Sequence, residues 1–273
     1  MNIIVTGANG YIGKHVVSCL KDRDHHVYAL DWKFDEMLDG VEYTTCDIFN
    51  DDLSDIVKKS DACIHLAYRD GFRHMSSAHM EDLNKHVSFI ENMCKNGLKQ
   101  LLVLGSMHEV GYFEGAIDEN TPCNPLTYYG IAKNTLRQVT SIMCRQYDCV
   151  WQWVRAFYIT GDETRGSNVF TKITQAYNDG KKEFPLNSGK NLYDFIDINQ
   201  LAYQIARVIE QKEVDGIINC CSGKPVSLLD KIQDFIKEKN YDIKLNIGAF
   251  PDRPYDSPGI WGDNTKIKKI LGE

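Results

Sequence analysis

The sequence predicts an α/β fold, a doubly wound parallel sheet followed by a smaller C-terminal lobe. Three observations carry this. Short apolar runs alternate with helical patterns over the first 160 residues, and a glycine-rich turn joins the first run to the first helix. Beyond that point the alternation gives way to a polar, Gly-rich stretch.

The elements follow in order. "NIIVTG" (2–7), "HVYALD" (26–31), "VEYTTCD" (41–47), "ACIHLA" (62–67), "QLLVLGS" (100–106) and "VWQWVRAF" (150–157) have the length and β-branched content of buried strands. Helical patterns lie between them at 11–23, 51–59, about 80–96 and 128–147, the last opening after the turn-like "TPCNPLT". Right-handed crossovers then give a parallel sheet covered on both faces. One helix is expected near 168–179, then a short strand and helix in "YDFIDINQLAYQIARVIEQ" and a strand in "GIINCCS". Residues 1–162 and 195–219 are therefore assigned to the sheet domain, and 163–194 and 220–273 to a lobe over the strand C-termini, where open α/β sheets bind ligands.

Composition narrows the function. The 273 residues are 43% apolar, ample for a large core. With a formal charge of −7 and scattered Lys and Arg, the chain offers no face for nucleic acid or an anionic membrane. Nine cysteines show neither CxxC nor Cys/His ligand spacing, so they read as reduced thiols packed as small hydrophobes, with no metal expected. No run reaches the length of a spanning helix and "MNIIVTG" is not an export signal, so the expected location is cytoplasmic.

"VTGANGYIGKHVV" carries Gly7, Gly10 and Gly13 directly after the first strand. Such glycines permit a tight turn, let a pyrophosphate approach the backbone, and let helix and strand pack closely. An ordinary strand-to-helix turn is the bland alternative. Asp31 ends the second strand, where a carboxylate accepts both ribose hydroxyls of adenosine and repels a 2′-phosphate. NAD is thus expected over NADP, although nearby Lys33 keeps NADP open and Asp31 could simply start a turn.

In "YYGIAK", Tyr129 and Lys133 stand four residues apart on one helix face. An adjacent ammonium lowers a phenol's pKa from about 10, making Tyr129 a general acid or base near neutrality. The alternative, a plain surface contact, loses ground beside the dinucleotide turn.

These motifs, with "CDI" (46–48), "HLA" (65–67), Asn84 and "VRAFYITG", resemble in order and spacing the extended short-chain dehydrogenase/reductase family: nucleotide-sugar epimerases, dehydratases and reductases with a Rossmann dinucleotide domain. The likeness spans nearly the whole chain. It implies that Tyr129 is the catalytic acid/base and that Lys133 holds the nicotinamide ribose and tunes Tyr129. It implies further that Gly7, Gly10, Tyr11, Ile12 and Gly13 form the cofactor turn, that Asp47 and Ile48 flank the adenine, and that Leu66 and Ala67 line the cofactor. It also implies a homodimer through the helices at about 80–96 and 128–147, whose outer faces carry Met80, Leu83, Val139 and Ile142.

"GSMHEVG" (105–111) departs from the family's pattern. The family's second hydroxyl before the Tyr helix helps bind the substrate oxygen, and aligning Val110 puts Met107 there. Either Ser106 turns into that role or His108 supplies the contact; Met107 cannot donate a hydrogen bond and is expected to pack against the sugar. A structural role for His108 is the alternative. Glu109 falls where dehydratases carry a base, but the partner aspartate is missing, which disfavours dehydration.

In the lobe, Asn168 opens a helix whose amides could receive a diphosphate, while also serving as an ordinary cap. "PDRPYDSPGIWGDNTKIKKILG" resembles the closing motif of nucleotide-sugar reductases and dehydratases, reading most like that of GDP-6-deoxy-4-keto-hexose reductases. The likeness implies that Arg253 pairs with the nucleotide diphosphate. Tyr193 stands where an arginine often contacts phosphate. The expected activity is NAD(P)-dependent reduction of a nucleotide-activated 4-keto-6-deoxy sugar. A 4-epimerase with retained NAD is the runner-up, and a non-catalytic dinucleotide sensor the third reading.

Overall fold

The computed structural model describes residues 1–163, 168–252 and 256–273. In chain order its elements are β1 (Asn2–Thr6), α1 (Tyr11–Lys21), β2 (His26–Asp31), β3 (Glu42–Thr45), α2 (Ser54–Lys58), β4 (Ala62–His65), α3 (Ala78–Lys95), β5 (Gln100–Ser106), β6 (Gly115–Ile117), α4 (Tyr128–Gln146), β7 (Val150–Ala156), β8 (Tyr158–Thr160) and α5 (Val169–Asn178). There follow β9 (Glu183–Leu186), β10 (Leu192–Asp197), α6 (Ile198–Ile209), β11 (Gly216–Cys220), β12 (Pro225–Ser227), α7 (Leu228–Glu238), β13 (Lys244–Ile247), β14 (Gly259–Gly262) and α8 (Thr265–Leu271).

Seven strands form a parallel Rossmann sheet in the order β11-β7-β5-β4-β1-β2-β3. The order reverses between β1 and β4, which opens a crevice at their C-terminal ends. The strands are apolar on both sides because both faces are covered. Ile3, Val5, Ala29 and Ile64 join Val16, Leu20, Leu201 and Ile205 in one cluster; Ile4, Leu30, Cys63 and Leu101 join Ile90, Met93, Leu136 and Cys144 in the other. Fully burying one such side chain stabilises by about 1.5–3 kcal/mol.

A second sheet runs β12-β10-β14-β6, with β8 also paired to β10, and a separate parallel pair joins β9 to β13. Two elements sit elsewhere than the spacing predicts. β10 joins the second sheet, although β11 does pair with β7 in the first. At the chain's end, α8 returns to the Rossmann core, where Ile267 and Ile270 pack with Leu201 and Ile205. The physical reason is sheet closure: β10 meets β8 and β14, and α6 after it lays its apolar face on α1. Asp194 ties these segments together, a fully buried carboxylate that accepts from Ser222 N and Oγ, Gly223 N and Gly262 N at 2.6–3.1 Å.

Candidate active site

The glycine turn sits at the mouth of the crevice. Gly7 has φ +68°, and a Cβ there would lie 2.6 Å from Ala67 N; a Cβ on Gly13 would lie 2.1 Å from Gly7 O. Only glycine permits this close approach of β1, β4 and α1. Gly10 is the N-cap of α1 and makes no side-chain cap, leaving the first amides of the helix, those of Tyr11 and Ile12 among them, without an intrahelical acceptor. The Tyr11 hydroxyl donates to Gly161 O at 2.6 Å, binding the turn to the segment after β8, and its burial raises its pKa.

Asp31 ends β2 with its carboxylate oriented from two sides: Oδ2 accepts from Asn9 N at 2.9 Å and Oδ1 from Trp32 N at 2.7 Å. It is fixed against the glycine turn, as a ribose-binding carboxylate must be. Asp47 instead serves its own loop, accepting from Phe49 N and Asn50 Nδ2, while Ile48 is buried in the core. Leu66 is buried and Ala67 N lies 3.4 Å from Thr6 Oγ1, so both follow β4 to the crevice.

Tyr129 and Lys133 lie in the first turns of α4, which Thr127 caps by accepting from Gly130 N at 3.1 Å. Both face inward. Burial raises the Tyr129 pKa to about 12, against a hydrogen bond with the Ser106 side chain that lowers it. Burial also pushes Lys133 down to about 7, with Glu109 acting the other way. This corrects the expectation that the ammonium lowers the phenol's pKa: Lys133 Nζ is held by Leu104 O at 2.7 Å and lies over the Tyr68 ring, 3.7 Å from its centre and 5.9 Å from that of Tyr129.

In "GSMHEVG" it is Ser106 whose side chain meets Tyr129. It ends β5 opposite Ala156, its Oγ accepts from His108 N at 3.3 Å, and its side chain is the hydrogen-bond partner of Tyr129. Met107 is buried among Val110, Ile117, Phe157, Cys221 and Ile260, so it packs against protein rather than being presented to a sugar. His108 is half-buried beside His74, ring centres 4.3 Å apart, and desolvation holds its pKa down at about 3; it is a neutral ring in the wall. Glu109 is fully buried and turned into the core: it accepts from Arg155 Nε at 2.5 Å and from Trp153 Nε1 at 2.9 Å. A carboxylate so occupied is no proton-abstracting base.

The structure adds residues that spacing did not reveal. His74 stacks on Tyr129 at 5.0 Å, and its carbonyl accepts from Tyr129 N at 3.0 Å. Tyr68 and His79 pack edge-on to Tyr129 at 5.6 and 5.3 Å. Behind them runs a buried series, with Thr6 Oγ1 2.8 Å from His65 Nδ1 and His65 Nε2 2.9 Å from His86 Nδ1. The only hint in the sequence is the density of rings in "HLAYRDGFRHMSSAH". Asn168 caps α5, its Oδ1 accepting from Thr171 N at 2.9 Å. Arg253 lies outside the described residues.

A cradle that only glycine permits, a helix N-terminus and a fixed carboxylate suit a dinucleotide, and the model of the NAD dependent epimerase/dehydratase family matches residues 3–221. The chain belongs to this family. The enzyme is 45% identical over 271 residues, 96% of its length and 99% of the relative's, to a dTDP-6-deoxy-L-talose 4-dehydrogenase (NAD(+)) of Aggregatibacter actinomycetemcomitans. It is 22% identical over 286 residues, 100% and 92% of the two chains, to a GDP-6-deoxy-D-talose 4-dehydrogenase of the same organism. A UDP-glucuronic acid 4-epimerase from Bacillus cereus, solved with UDP-glucuronic acid and NAD, matches with a TM-score of 0.85 at 22% identity, covering 100% and 93% of the two chains. At that identity the likeness is one of fold. NAD is the cofactor of this enzyme, with the Gly7–Gly13 turn and Asp31 the residues that fit it. No helix among the described residues is long and apolar enough to cross a membrane.

Proposed function

We propose that the enzyme interconverts the 4-keto and 4-hydroxyl forms of a nucleotide-activated 6-deoxyhexose with NAD(H). The observation that carries this reading is the hydrogen-bonded pair of Tyr129, half-buried at the start of α4, and Ser106, buried at the end of β5, one turn of helix from Lys133 and on the same edge of the sheet as the glycine turn. The cofactor, when bound, supplies or accepts the hydride at the sugar carbon.

The remaining steps belong to the chain. In the reductive direction Tyr129 enters protonated, as its raised pKa requires, and passes its proton to the oxygen forming at C4. Ser106 Oγ donates a second hydrogen bond to that oxygen, and the dry ring wall of Tyr68, His74 and His108 strengthens both. Lys133 would hold the nicotinamide ribose, and the phenolate left on Tyr129 regains its proton from solvent. Oxidation runs the same transfers backwards.

The 45% identity to a dTDP-6-deoxy-L-talose 4-dehydrogenase supports a deoxythymidine diphosphate sugar, in place of the guanosine nucleotide that the closing motif suggests. In this reading the start of α5 faces the substrate, and Arg253 pairs with its diphosphate as the closing motif implies. A homodimer through α3 and α4 completes it: Met80 and Ile142 are exposed on those helices, whereas Leu83 and Val139 already pack inward.

The test is to mix the purified enzyme with dTDP-4-keto-6-deoxyhexoses and NADH, and with dTDP-6-deoxy-L-talose and NAD+. The NADH absorbance band should fall in the first and grow in the second. Silence with every nucleotide 4-keto-6-deoxyhexose and either reduced cofactor sinks the reading, and interconversion of 4-epimers without net change in NADH replaces it with an epimerase.

A further inference from the structure

All nine cysteines are free thiols, and three of them converge far from Tyr129. Cys94 lies in the last turn of α3, Cys144 in the last turn of α4, and Cys149 immediately before β7. All three are buried, and their Sγ atoms lie within 4.8 Å of one another. Sequence spacing gave no ligand pattern because the fold assembles the group from two helix ends and a strand start.

The backbone fixes the arrangement. Cys149 N donates to Cys144 O at 2.9 Å, closing the end of α4 through Asp148 at φ +52°. Leu98 N donates to Met93 O at 3.2 Å and closes α3 in the same way through Gly97 at φ +95°, whose own N donates to Cys94 O at 3.0 Å. The helices pack on each other and on one apolar cluster that includes Ile90, Met93, Leu98 and Met143.

Thiolates are soft ligands, and a metal–sulfur distance of about 2.3 Å places the sulfurs about 4.0 Å apart in a planar trigonal site and closer together in a pyramidal one. The three sulfurs, all within 4.8 Å of one another, stand near that spacing already. Tetrahedral zinc wants a fourth ligand, and among the described residues no His, Asp or Glu joins the group.

We propose that Cys94, Cys144 and Cys149 form a three-sulfur site for a soft ion that is satisfied by three coordination, trivalent arsenic or cuprous copper. The apolar surroundings order these two. Arsenite condenses with three thiols, each S–H losing its proton to a departing hydroxide, so that three As–S bonds form, three waters leave and no oxidation state changes. The product is neutral. Cuprous ion on three thiolates leaves a net negative charge in the core, which the apolar surroundings disfavour. Entry needs only local fraying of two helix ends, the part of a helix with the fewest internal bonds.

The experiment titrates the reduced full-length protein with arsenite, with buffered cuprous ion and with zinc, reading intact mass and free thiols. The expected result is one arsenic per chain with three hydrogens lost and three thiols protected, weaker cuprous binding at the same stoichiometry, and no zinc binding. Cys94→Ala, Cys144→Ala and Cys149→Ala should each abolish it, and Cys19→Ala should not. Dinucleotide binding shows that each variant is folded; should Cys144→Ala fail that check, the other two decide. Protection of two thiols, tight zinc binding, survival of binding in a folded cluster variant, or no binding by the wild type would each overturn the proposal. None of these outcomes bears on the assigned reaction.

Discussion

Lys133 holds its ammonium 3.7 Å over the ring of Tyr68 while donating to the carbonyl of Leu104. A buried cation over an aromatic face gains about 2 kcal/mol. That interaction opposes the desolvation that pulls Lys133 down to about 7. Tyr68→Leu should therefore move the alkaline limb of the free enzyme's pH–rate profile down by about one unit. Tyr68→Phe keeps the ring and should leave the limb in place. A profile unchanged in both variants would remove Tyr68 from this role.

Tyr129→Phe removes the proton donor without disturbing the glycine turn. Turnover should fall by about 10²-fold or more while NAD binding persists, as read by steady-state rates and calorimetry. Ser106→Ala should cost on the order of 10²-fold in kcat with little change in KM. Met107→Leu, by contrast, should be nearly silent, because that side chain packs in the core.

Glu109 belongs to stability. Glu109→Gln leaves the guanidinium of Arg155, fully buried, without its counter-charge and should destabilise the fold by about 3–5 kcal/mol. Urea unfolding measures it. Near-native stability with abolished turnover would instead return Glu109 to the chemistry.

Four histidines near the site, His65, His74, His86 and His108, are held neutral by burial, with His86 and His108 lowered from 6.5 to about 3. Between those values the unfolded chain binds protons that the folded chain refuses. Their contribution to stability is complete above pH 6.5 and is lost as pH falls toward 3. Melting temperature should drop steeply through that window, and His108→Asn should shallow the slope.

The parts of the site legible in the sequence were those encoded locally. Gly7, Gly10 and Gly13 follow a strand, Asp31 ends one, and Tyr129 and Lys133 share a helix face, so neighbours along the chain suffice to place them. Ser106 against His108 was left open because which side chain faces the cleft at a strand end depends on the local turn, which spacing alone does not fix. The set of Glu109, Trp153 and Arg155, the rings around Tyr129, and the three converging thiols join positions distant in sequence, and no periodicity announces them. Strands of three or four residues such as β6, β12 and β14 are likewise too short to leave a repeat, and so β10's partners were missed.

The second sheet has a consequence for how this enzyme can be re-engineered. Its strands come from five separate stretches of chain, interleaved with Rossmann elements, and one buried aspartate on β10 ties that strand to β14 and to the turn before β12. There is no detachable cassette. Transplanting any single stretch from a relative would break the weave, so new sugar preferences must be introduced one side chain at a time on an intact framework.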